Sequence, residues 1–307
     1  MGATRGREAA LTYSIVARDP ETGELGVAVQ SAALAVGTLV PWARPGVGAV
    51  ATQGFTETSH GPRCLDGLAA GMSAPDTLAD AVATDPAAEM RQVAVVSADG
   101  TLAARTGALC VDHAGHLIED GCAVQANMAA TDRVWPAMAE AYTAARGPFP
   151  HRLLTALRAA EAAGGDARGR MSAALLVVSG TRGEPWQGRL VDLRTDRSTD
   201  PLGDLARLLT AADAYRGFDR AVESLYGGDP DGALRTIDTA LASLPGEQGL
   251  RFLRAGALMA RGEAAAATDE LHALLADHPG WETVLRGFAA KGLLPLPPGT
   301  TADDLLE

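Results

Sequence analysis

A threonine at position 12 is the first residue whose type and place could carry catalysis. Thr12 opens the run Thr-Tyr-Ser-Ile-Val-Ala-Arg, and a turn at 19–23 leads to a second run that ends at Ser31. At a true chain terminus, a threonine hydroxyl is a nucleophile whose base is its own α-amine, which titrates at roughly pH 8. The alternative interpretation is an ordinary β-branched residue that begins a strand.

Two polar residues at strand ends could complete a catalytic group with Thr12. Ser31 ends the second strand of the predicted hairpin, so strand pairing would bring its hydroxyl beside the α-amine of Thr12. Asn127 follows a strand and precedes a helix, and its side-chain NH2 could face a developing oxyanion. The alternatives are a plain strand-end serine and an asparagine that caps or turns the chain.

Three further residues are candidates for substrate binding. Gln53 closes the third predicted strand, where it could line the same pocket. Asp166 and Arg170 flank the glycine break before the strand at 172. The carboxylate could hold a substrate amine, and the guanidinium could clamp a substrate carboxylate. A solvated ion pair in a loop, which contributes little, is the alternative for the last two.

The charge of the chain restricts its partners. The 307 residues carry a formal net charge of -12 with a pI near 5.0. An acidic protein gains no affinity from neutralising phosphates, so we expect neither nucleic acid nor an anionic membrane as a partner. We expect a small-molecule or peptide substrate, and leave homo-oligomer formation open.

Scarce lysine, cysteine and histidine exclude several kinds of site. Lys291 is the only lysine, so a phosphate-loop lysine or a Schiff base in the first 290 residues is excluded. Three cysteines without C-x-x-C spacing favour a reduced, cytoplasmic protein. His113 and His116 lack a convincing third ligand, so we read both as surface residues and expect neither a metal nor an organic cofactor.

The order of the predicted elements indicates an α+β fold. Strands at 13–18, 25–31 and 47–53 precede two helices at 63–83, and strands at 92–97, 102–106 and 122–126 precede two more at 132–163. Two strands, at 172–179 and 187–192, follow. Short turns between neighbouring strands imply antiparallel pairing, and paired helices between strand groups predict a four-layer αββα sandwich.

The tail repeats itself at an interval typical of helical hairpins. Gly228 recurs as Gly262, Ala233 as Ala267 and Pro245 as Pro279, each after 34 residues, the tetratricopeptide period. We therefore predict a disordered leader at 1–11, an αββα domain at 12–200, a small all-α tetratricopeptide-like domain at 201–297 and a short tail at 298–307.

Several motifs, in order along residues 12–200, carry a resemblance to one family. They are the run at 12–31, Val40-Pro-Trp-Ala, Gly46-Val-Gly-Ala-Val-Ala-Thr-Gln, Gly61-Pro-Arg, Arg91-Gln-Val, Thr106-Gly-Ala, Ala123-Val-Gln-Ala-Asn-Met and Ser172-Ala-Ala-Leu-Leu-Val. This pattern resembles domain of unknown function 1028 (DUF1028). The tail is similar to the small C-terminal domain often fused to that family, for which peptidoglycan binding is suggested.

The resemblance implies a fold and an activity. The family resembles N-terminal-nucleophile (Ntn) hydrolases, which have a four-layer αββα fold and cleave amide bonds. It implies that Thr12 is the nucleophile of a hydrolase acting on a small amide or peptide-like C–N bond. The alternative is a catalytically inactive sandwich that serves as an adaptor through its helical repeats.

Three positions depart from the family pattern. Thr12 follows Leu11, where the family threonine usually follows the initiator methionine. Either the gene start is over-extended, with an initiator codon read here as Leu11, or the bond between Leu11 and Thr12 is cut by autoproteolysis; otherwise Thr12 has no α-amine. Ala126 stands where the family has glycine, and Met171 where it has glutamine, which leaves the substrate open.

Overall fold

A computed structural model describes residues 12–111, 113–184, 186–296 and 299–306. Backbone contacts divide the chain into two units between Leu209 and Thr210. The first unit contains ten described strands: β1 Thr12–Arg18, β2 Leu25–Ser31, β3 Pro41–Arg44, β4 Gly48–Gly54, β5 Arg91–Ser97, β6 Leu102–Thr106, β7 Gly115–Glu119, β8 Cys122–Asn127, β9 Ser172–Val178 and β10 Arg189–Thr195. Its helices include α1 His60–Ala69, α2 Ala74–Ala83, α3 Val134–Ala144 and α4 Phe149–Ala162.

The strands form two antiparallel sheets. A six-stranded sheet has the order β10-β9-β2-β1-β8-β7, and a four-stranded sheet has the order β3-β4-β5-β6. The predicted hairpin of β1 and β2 lies at the centre of the six-stranded sheet. Its turn has Gly23 at φ 74°, a conformation that glycine adopts without strain. The hairpin sets the register at its open end, where Thr12 lies opposite Ser31.

Each strand of the central hairpin is buried on both faces. Side chains of a strand alternate between its two faces. Val16 and Val29 belong to an apolar cluster shared with residues of the four-stranded sheet, such as Ala51 and Val96. Ile15 belongs to a second cluster, formed with α3 and α4. A third cluster packs α1 and α2 against the four-stranded sheet. The α+β prediction is confirmed; the four-layer sandwich stays a prediction.

The second unit is helical. It contains the later part of α5 Pro201–Tyr226, and α6 Pro230–Ser243, α7 Gln248–Arg261, α8 Ala264–Asp277 and α9 Trp281–Ala290. Gly228 and Gly262 both have a left-handed φ, 85° and 89°, directly before a new helix. A glycine terminates a helix there at little steric cost, which explains the recurrence of glycine in the repeat. The predicted all-α region after the sheets is confirmed.

The sequence analysis missed two strands. β3 contains Pro41 and β7 contains only five residues, and each lies at the edge of its sheet. Proline and short length are typical of edge strands, which show weaker sequence patterns than central ones. The predicted leader at 1–11, including Leu11, lies outside the described residues. None of the described helices has the length and apolar character needed to cross a membrane.

Candidate active site

The strand register brings the central candidates to one level of the six-stranded sheet. Thr12 lies opposite Ser31 on β2 and opposite Asn127 on β8, and Ser31 in turn lies opposite Ser172 on β9. Directly opposed residues on adjacent strands have Cβ atoms about 4.5–5.5 Å apart. We call this set the polar row. It confirms no catalytic role, but it places the three predicted catalytic residues side by side.

The side chains of the polar row face the four-stranded sheet. Thr12 is an even number of residues from Val16, as Ser31 is from Val29, and both valines lie in the cluster between the sheets. The hydroxyl of Thr12 donates to Ser31 Oγ at 3.2 Å, and the backbone N–H of Ala33 donates to the same Oγ at 3.0 Å. Ser31 therefore fixes the orientation of the candidate nucleophile.

Gln53 contacts the backbone of Thr12 from the opposite sheet. Its Nε2 donates to Thr12 O at 3.1 Å and to Gln92 Oε1 at 2.7 Å, and its Oε1 accepts from Ser14 Oγ at 2.6 Å. The amide is fully buried. Both ends of the Gln53 amide are thus committed to internal bonds, one of which holds Thr12 in place.

Asn127 is held by a glutamine that the sequence analysis did not single out. Asn127 Nδ2 donates to Gln92 Oε1 at 3.0 Å, whereas Asn127 Oδ1 is buried and has no hydrogen-bond partner among the described residues. The next residue, Met128, has a left-handed φ of 46°, which costs a non-glycine residue free energy. Gln92 lies in the motif Arg91-Gln-Val, which was the one signal in the sequence that marked it.

Asp166 organises the loop that follows β2. Its carboxylate accepts from the N–H of Ala32 at 2.9 Å and from the N–H of Arg168 at 2.9 Å. Burial raises the pKa of Asp166, while the hydrogen bonds from Ala32 and Arg168 oppose that rise. Ser172 holds the same loop, because Ser172 Oγ accepts from Val36 N at 3.0 Å. The buried carboxylate of Asp166 is therefore bonded to the loop that directly follows Ser31. It does not form the solvated ion pair with Arg170 that the alternative interpretation expected.

Arg170 belongs to a second polar group on the other side of the sheet. Its Nη1 lies 3.3 Å from Glu161 Oε1, and Glu161 Oε2 accepts from the hydroxyl of Tyr13 at 2.7 Å. The same hydroxyl, which has a single hydrogen, also contacts the side-chain amide of Gln30. Burial first, and then the charge of Glu161, raise the pKa of Tyr13 well above its usual value. The guanidinium is half-exposed, so a ligand in solvent can reach it.

Histidine and cysteine side chains near the site have structural partners. His116 is partly exposed, and its Nδ1 lies 2.8 Å from Thr106 Oγ1. Burial raises the pKa of Cys64 to about 12, which favours the protonated thiol over the reactive thiolate. No cluster of three His, Cys, Asp or Glu residues suited to a metal occurs in the described ranges.

A buried histidine lies at the start of α1. His60 Nε2 is 3.2 Å from Asp85 Oδ2, yet neither ring nitrogen makes a hydrogen bond within the part of the chain that the structure describes. Asp85 accepts from Arg91 Nε at 2.8 Å. Burial lowers the pKa of His60, and the charge of Asp85 opposes this. Burial alone would raise the pKa of Asp85, but hydrogen bonds from Arg91 and from the N–H of Ala87 lower it overall.

We expect these shifts to make the fold less stable in mild acid. Because the pKa of His60 is lower in the folded chain than the unfolded value of about 6.5, the unfolded chain binds the proton first. Stability is therefore complete above about pH 6.5 and falls as the pH drops below that value. Thermal unfolding of the full chain at pH 7.5 and 5.5 measures the loss, which His60→Gln should reduce. His278→Gln, at an exposed position, is the control, and an equal loss in both variants contradicts the assignment.

Comparisons with known proteins complete the description of the site. Residues 12–205 match the family described as a family of unknown function, DUF1028, and residues 224–291 match a tetratricopeptide repeat family. Among solved structures, the chain is similar to the crystal structure of protein SPO2555 from Silicibacter pomeroyi, of the same family. The two are 35% identical with a TM-score of 0.61, over 66% of this chain and 86% of that chain. No curated protein matches the chain.

Proposed function

The chain belongs to the DUF1028 family of unknown function, and from that premise we propose that it is an Ntn-type hydrolase of a small amide or peptide-like C–N bond. Thr12 is the nucleophile once its α-amine is released from the peptide bond with Leu11. The observation that carries the proposal is the polar row. Thr12 Oγ1 lies 3.2 Å from Ser31 Oγ, and Asn127 lies directly opposite Thr12 on the adjacent strand.

The proposed reaction uses residues of the polar row in successive chemical steps. Thr12 Oγ1 attacks the substrate carbonyl carbon while the α-amine takes the hydroxyl proton. The N–H of Asn127 that Gln92 does not bind stabilises the oxyanion. The C–N bond then breaks, the departing nitrogen takes the proton from the α-ammonium, and Thr12 is left as an ester. Water, deprotonated by the α-amine, hydrolyses that ester and restores the hydroxyl. No metal or organic cofactor takes part.

Three further residues, Gln53, Asp166 and Arg170, hold the site in place or bind the substrate. Gln53 holds the carbonyl of Thr12, and Asp166 holds the loop that carries Ser31 towards the nucleophile. Arg170 is the candidate for binding an anionic group of the substrate, since its guanidinium is half-exposed and can bind a carboxylate through two hydrogen bonds.

The three free cysteines support a cytoplasmic location.

The proposed chemistry depends on a chain that begins at Thr12. Thr12 is buried, with 1% of its surface exposed, in the chain that carries Leu11 before it. A peptide nitrogen cannot serve as the base, because its lone pair is delocalised over the carbonyl. Either a translation start at Leu11 with removal of the initiator methionine, or cleavage of the Leu11–Thr12 bond, yields the working form.

Asn127→Leu tests the oxyanion role. In a chain that begins at Thr12, we expect this change to slow acylation of Thr12 by an activated acyl probe by about 10²–10³-fold, the usual effect of removing one oxyanion donor. Leucine has a similar size, so the strand should persist; far-ultraviolet circular dichroism checks this. Acylation at the wild-type rate would exclude Asn127 from the reaction.

The second candidate function is binding through the helical unit. An apolar cavity of about 480 Å³ opens between α5, α7 and α9, lined mainly by side chains such as Phe218, Phe252, Leu253 and Phe288. Concave apolar sites of this size are typical of ligand binding. The two candidates differ in one consequence: a purely adaptor protein would lose nothing when Thr12 is replaced.

A further inference from the structure

We propose that Gln92 is the positioning residue of the candidate active site, and that the orientation it imposes on Asn127 selects amides that carry an N–H on the scissile nitrogen. The inference rests on the proposed function, because it assigns a substrate class to the same site. It adds a residue to that site and excludes two classes of acyl compound, esters and tertiary amides, as preferred substrates.

Gln92 uses all of its hydrogen-bonding capacity inside the protein. Its Nε2 lies within hydrogen-bond distance of three acceptors, Thr106 Oγ1 at 2.8 Å, Ala126 O at 2.9 Å and Gly115 O at 3.1 Å, which share its two hydrogens. Its Oε1 accepts from Gln53 Nε2 at 2.7 Å and from Asn127 Nδ2 at 3.0 Å. An amide has two donor hydrogens and two acceptor lone pairs, so Gln92 has no capacity left.

This saturation fixes the orientation of the neighbouring amides. If the Gln92 amide turned over, its NH2 would face the NH2 groups of Gln53 and Asn127, and its oxygen would face two backbone carbonyls. If Asn127 turned over, its oxygen would face Gln92 Oε1. Each alternative replaces hydrogen bonds by contacts between like partial charges in a buried place, where such contacts are costly. Gln92 therefore determines which end of Asn127 faces the site.

Asn127 is left with one donor and one acceptor for a ligand. Gln92 takes one of its two N–H groups, so one N–H remains, together with Oδ1. Oδ1 is buried and has no hydrogen-bond partner among the residues described, although Asn127 is only 2% exposed. Buried acceptors are rarely left unpaired without a functional reason. Its side chain shares a face with that of Thr12, on the adjacent strand.

A donor beside an acceptor is the complement of a tetrahedral intermediate whose departing nitrogen carries an N–H. In the planar amide the N–H and the C=O point in opposite directions, but in the intermediate the C–N bond is single and can rotate. The remaining N–H of Asn127 then faces the oxyanion, and Oδ1 accepts from the N–H on the nitrogen that will leave. An ester offers no hydrogen at that position, and neither does a tertiary amide. With either compound, Oδ1 stays buried and unpaired, and a site built to bond an N–H discriminates strongly against analogues that lack it.

Three acetyl compounds measure this selection in a chain that begins at Thr12: 4-nitroacetanilide, its N-methyl derivative and 4-nitrophenyl acetate. The rate of each is divided by its hydroxide-catalysed rate, which removes differences in intrinsic reactivity. We expect the wild-type chain to favour the anilide over the N-methyl derivative by at least about 100-fold after this correction. In Gln92→Met, which cannot accept from Asn127, the preference should fall at least about tenfold towards unity.

Two variants separate positioning from a loss of folding. Gln125→Met is the matched control, since Gln125 is as buried as Gln92, but its Nε2 bonds Ser14 Oγ and Ala51 O instead of Asn127. It should keep the wild-type preference. In its protonated form, Gln92→Glu keeps an oxygen that can accept from Asn127 and an O–H that can donate to a backbone carbonyl, so it should recover part of the preference that Gln92→Met loses.

The orientation of the Asn127 side chain can also be measured by NMR, without a substrate. In ¹⁵N-labelled full chain, the side-chain amide of Asn127, identified by its loss in Asn127→Asp, should show two well-separated and slowly exchanging protons. Gln92→Met should abolish that protection, and Gln125→Met should not.

Each outcome of these experiments decides a separate claim. The inference is overturned if Gln92→Met keeps the wild-type preference for the anilide. It is also overturned if the wild type shows no such preference while the ester still acylates Thr12. In both cases Thr12 remains the nucleophile. Reaction with none of the three compounds counts against the nucleophile and the substrate class together. Asn127 protons that exchange quickly in the wild type overturn the positioning role of Gln92, whatever the activity.

Discussion

Thr12→Ala, in a chain that begins at position 12, is expected to reduce amide hydrolysis by at least about 10³-fold. Alanine lacks the only hydroxyl that the proposed reaction uses to form the acyl intermediate, and removal of a catalytic nucleophile has effects of this size or larger. Structural loss should be small, because the backbone of β1 is held by pairing with β2 on one side and β8 on the other. The measurement is steady-state turnover together with the mass of the protein after exposure to an activated acyl probe.

Thr12→Ser is the matched control for this prediction. Serine keeps the hydroxyl and the α-amine, and we expect it to retain turnover within about tenfold of the wild type, since it lacks only the methyl group that restricts χ1. An alanine variant that still forms an acyl adduct on the same peptide would show that the nucleophile lies elsewhere, and the assignment would fail.

The second large effect concerns the residue before Thr12. A chain that begins at Thr12 is expected to hydrolyse amides at least about 10²-fold faster than one in which a single glycine precedes it. The glycine converts the α-amine into a peptide nitrogen and removes the general base, whose contribution is typically 10²–10⁴-fold. Both chains keep the polar row, so a difference reports on the amine itself.

Equal rates in the two chains would contradict the role of the α-amine. Any remaining activity would then have to use another base. The variant Thr12→Ala in the glycine-extended chain distinguishes residual catalysis at Thr12 from a contaminating hydrolase, because only the former disappears.

The central hairpin could be predicted because its signals are local. The turn between β1 and β2 carries glycine where the backbone needs a positive φ, and the alternating apolar runs fix which residues face the core. Once the turn is placed, the register puts Ser31 opposite Thr12. The same reasoning failed for β3 and β7, which are short and lie at sheet edges.

The remainder of the site depends on contacts between residues distant in sequence. Asn127 was a candidate from its position at a strand end, but nothing local indicates that β8 pairs with β1. Gln92 lies on the other sheet, and its role follows only from the packing of the two sheets against each other. Asp166 as a substrate-binding residue stays a prediction, and its bond to the N–H of Ala32, in the loop after β2, could not be foreseen from the sequence.

In the helical unit, the repeat interval could be predicted from the sequence, but the length of the first helix could not. The 34-residue interval comes from glycines with left-handed φ between helices, a local requirement that the sequence displays. The bounds of α5 were less predictable, because Gly203 and Gly217 lie within the helix and do not end it. Gly227 and Gly228 follow its last residue, Tyr226.

The central claim is that the working protein begins at Thr12. Its most direct test is the intact mass and N-terminal sequence of the protein purified from its native host. We predict a species whose first residue is Thr12, with the mass of a chain lacking residues 1–11. A protein that retains Leu11 and the residues before it in its functional state would contradict the proposal.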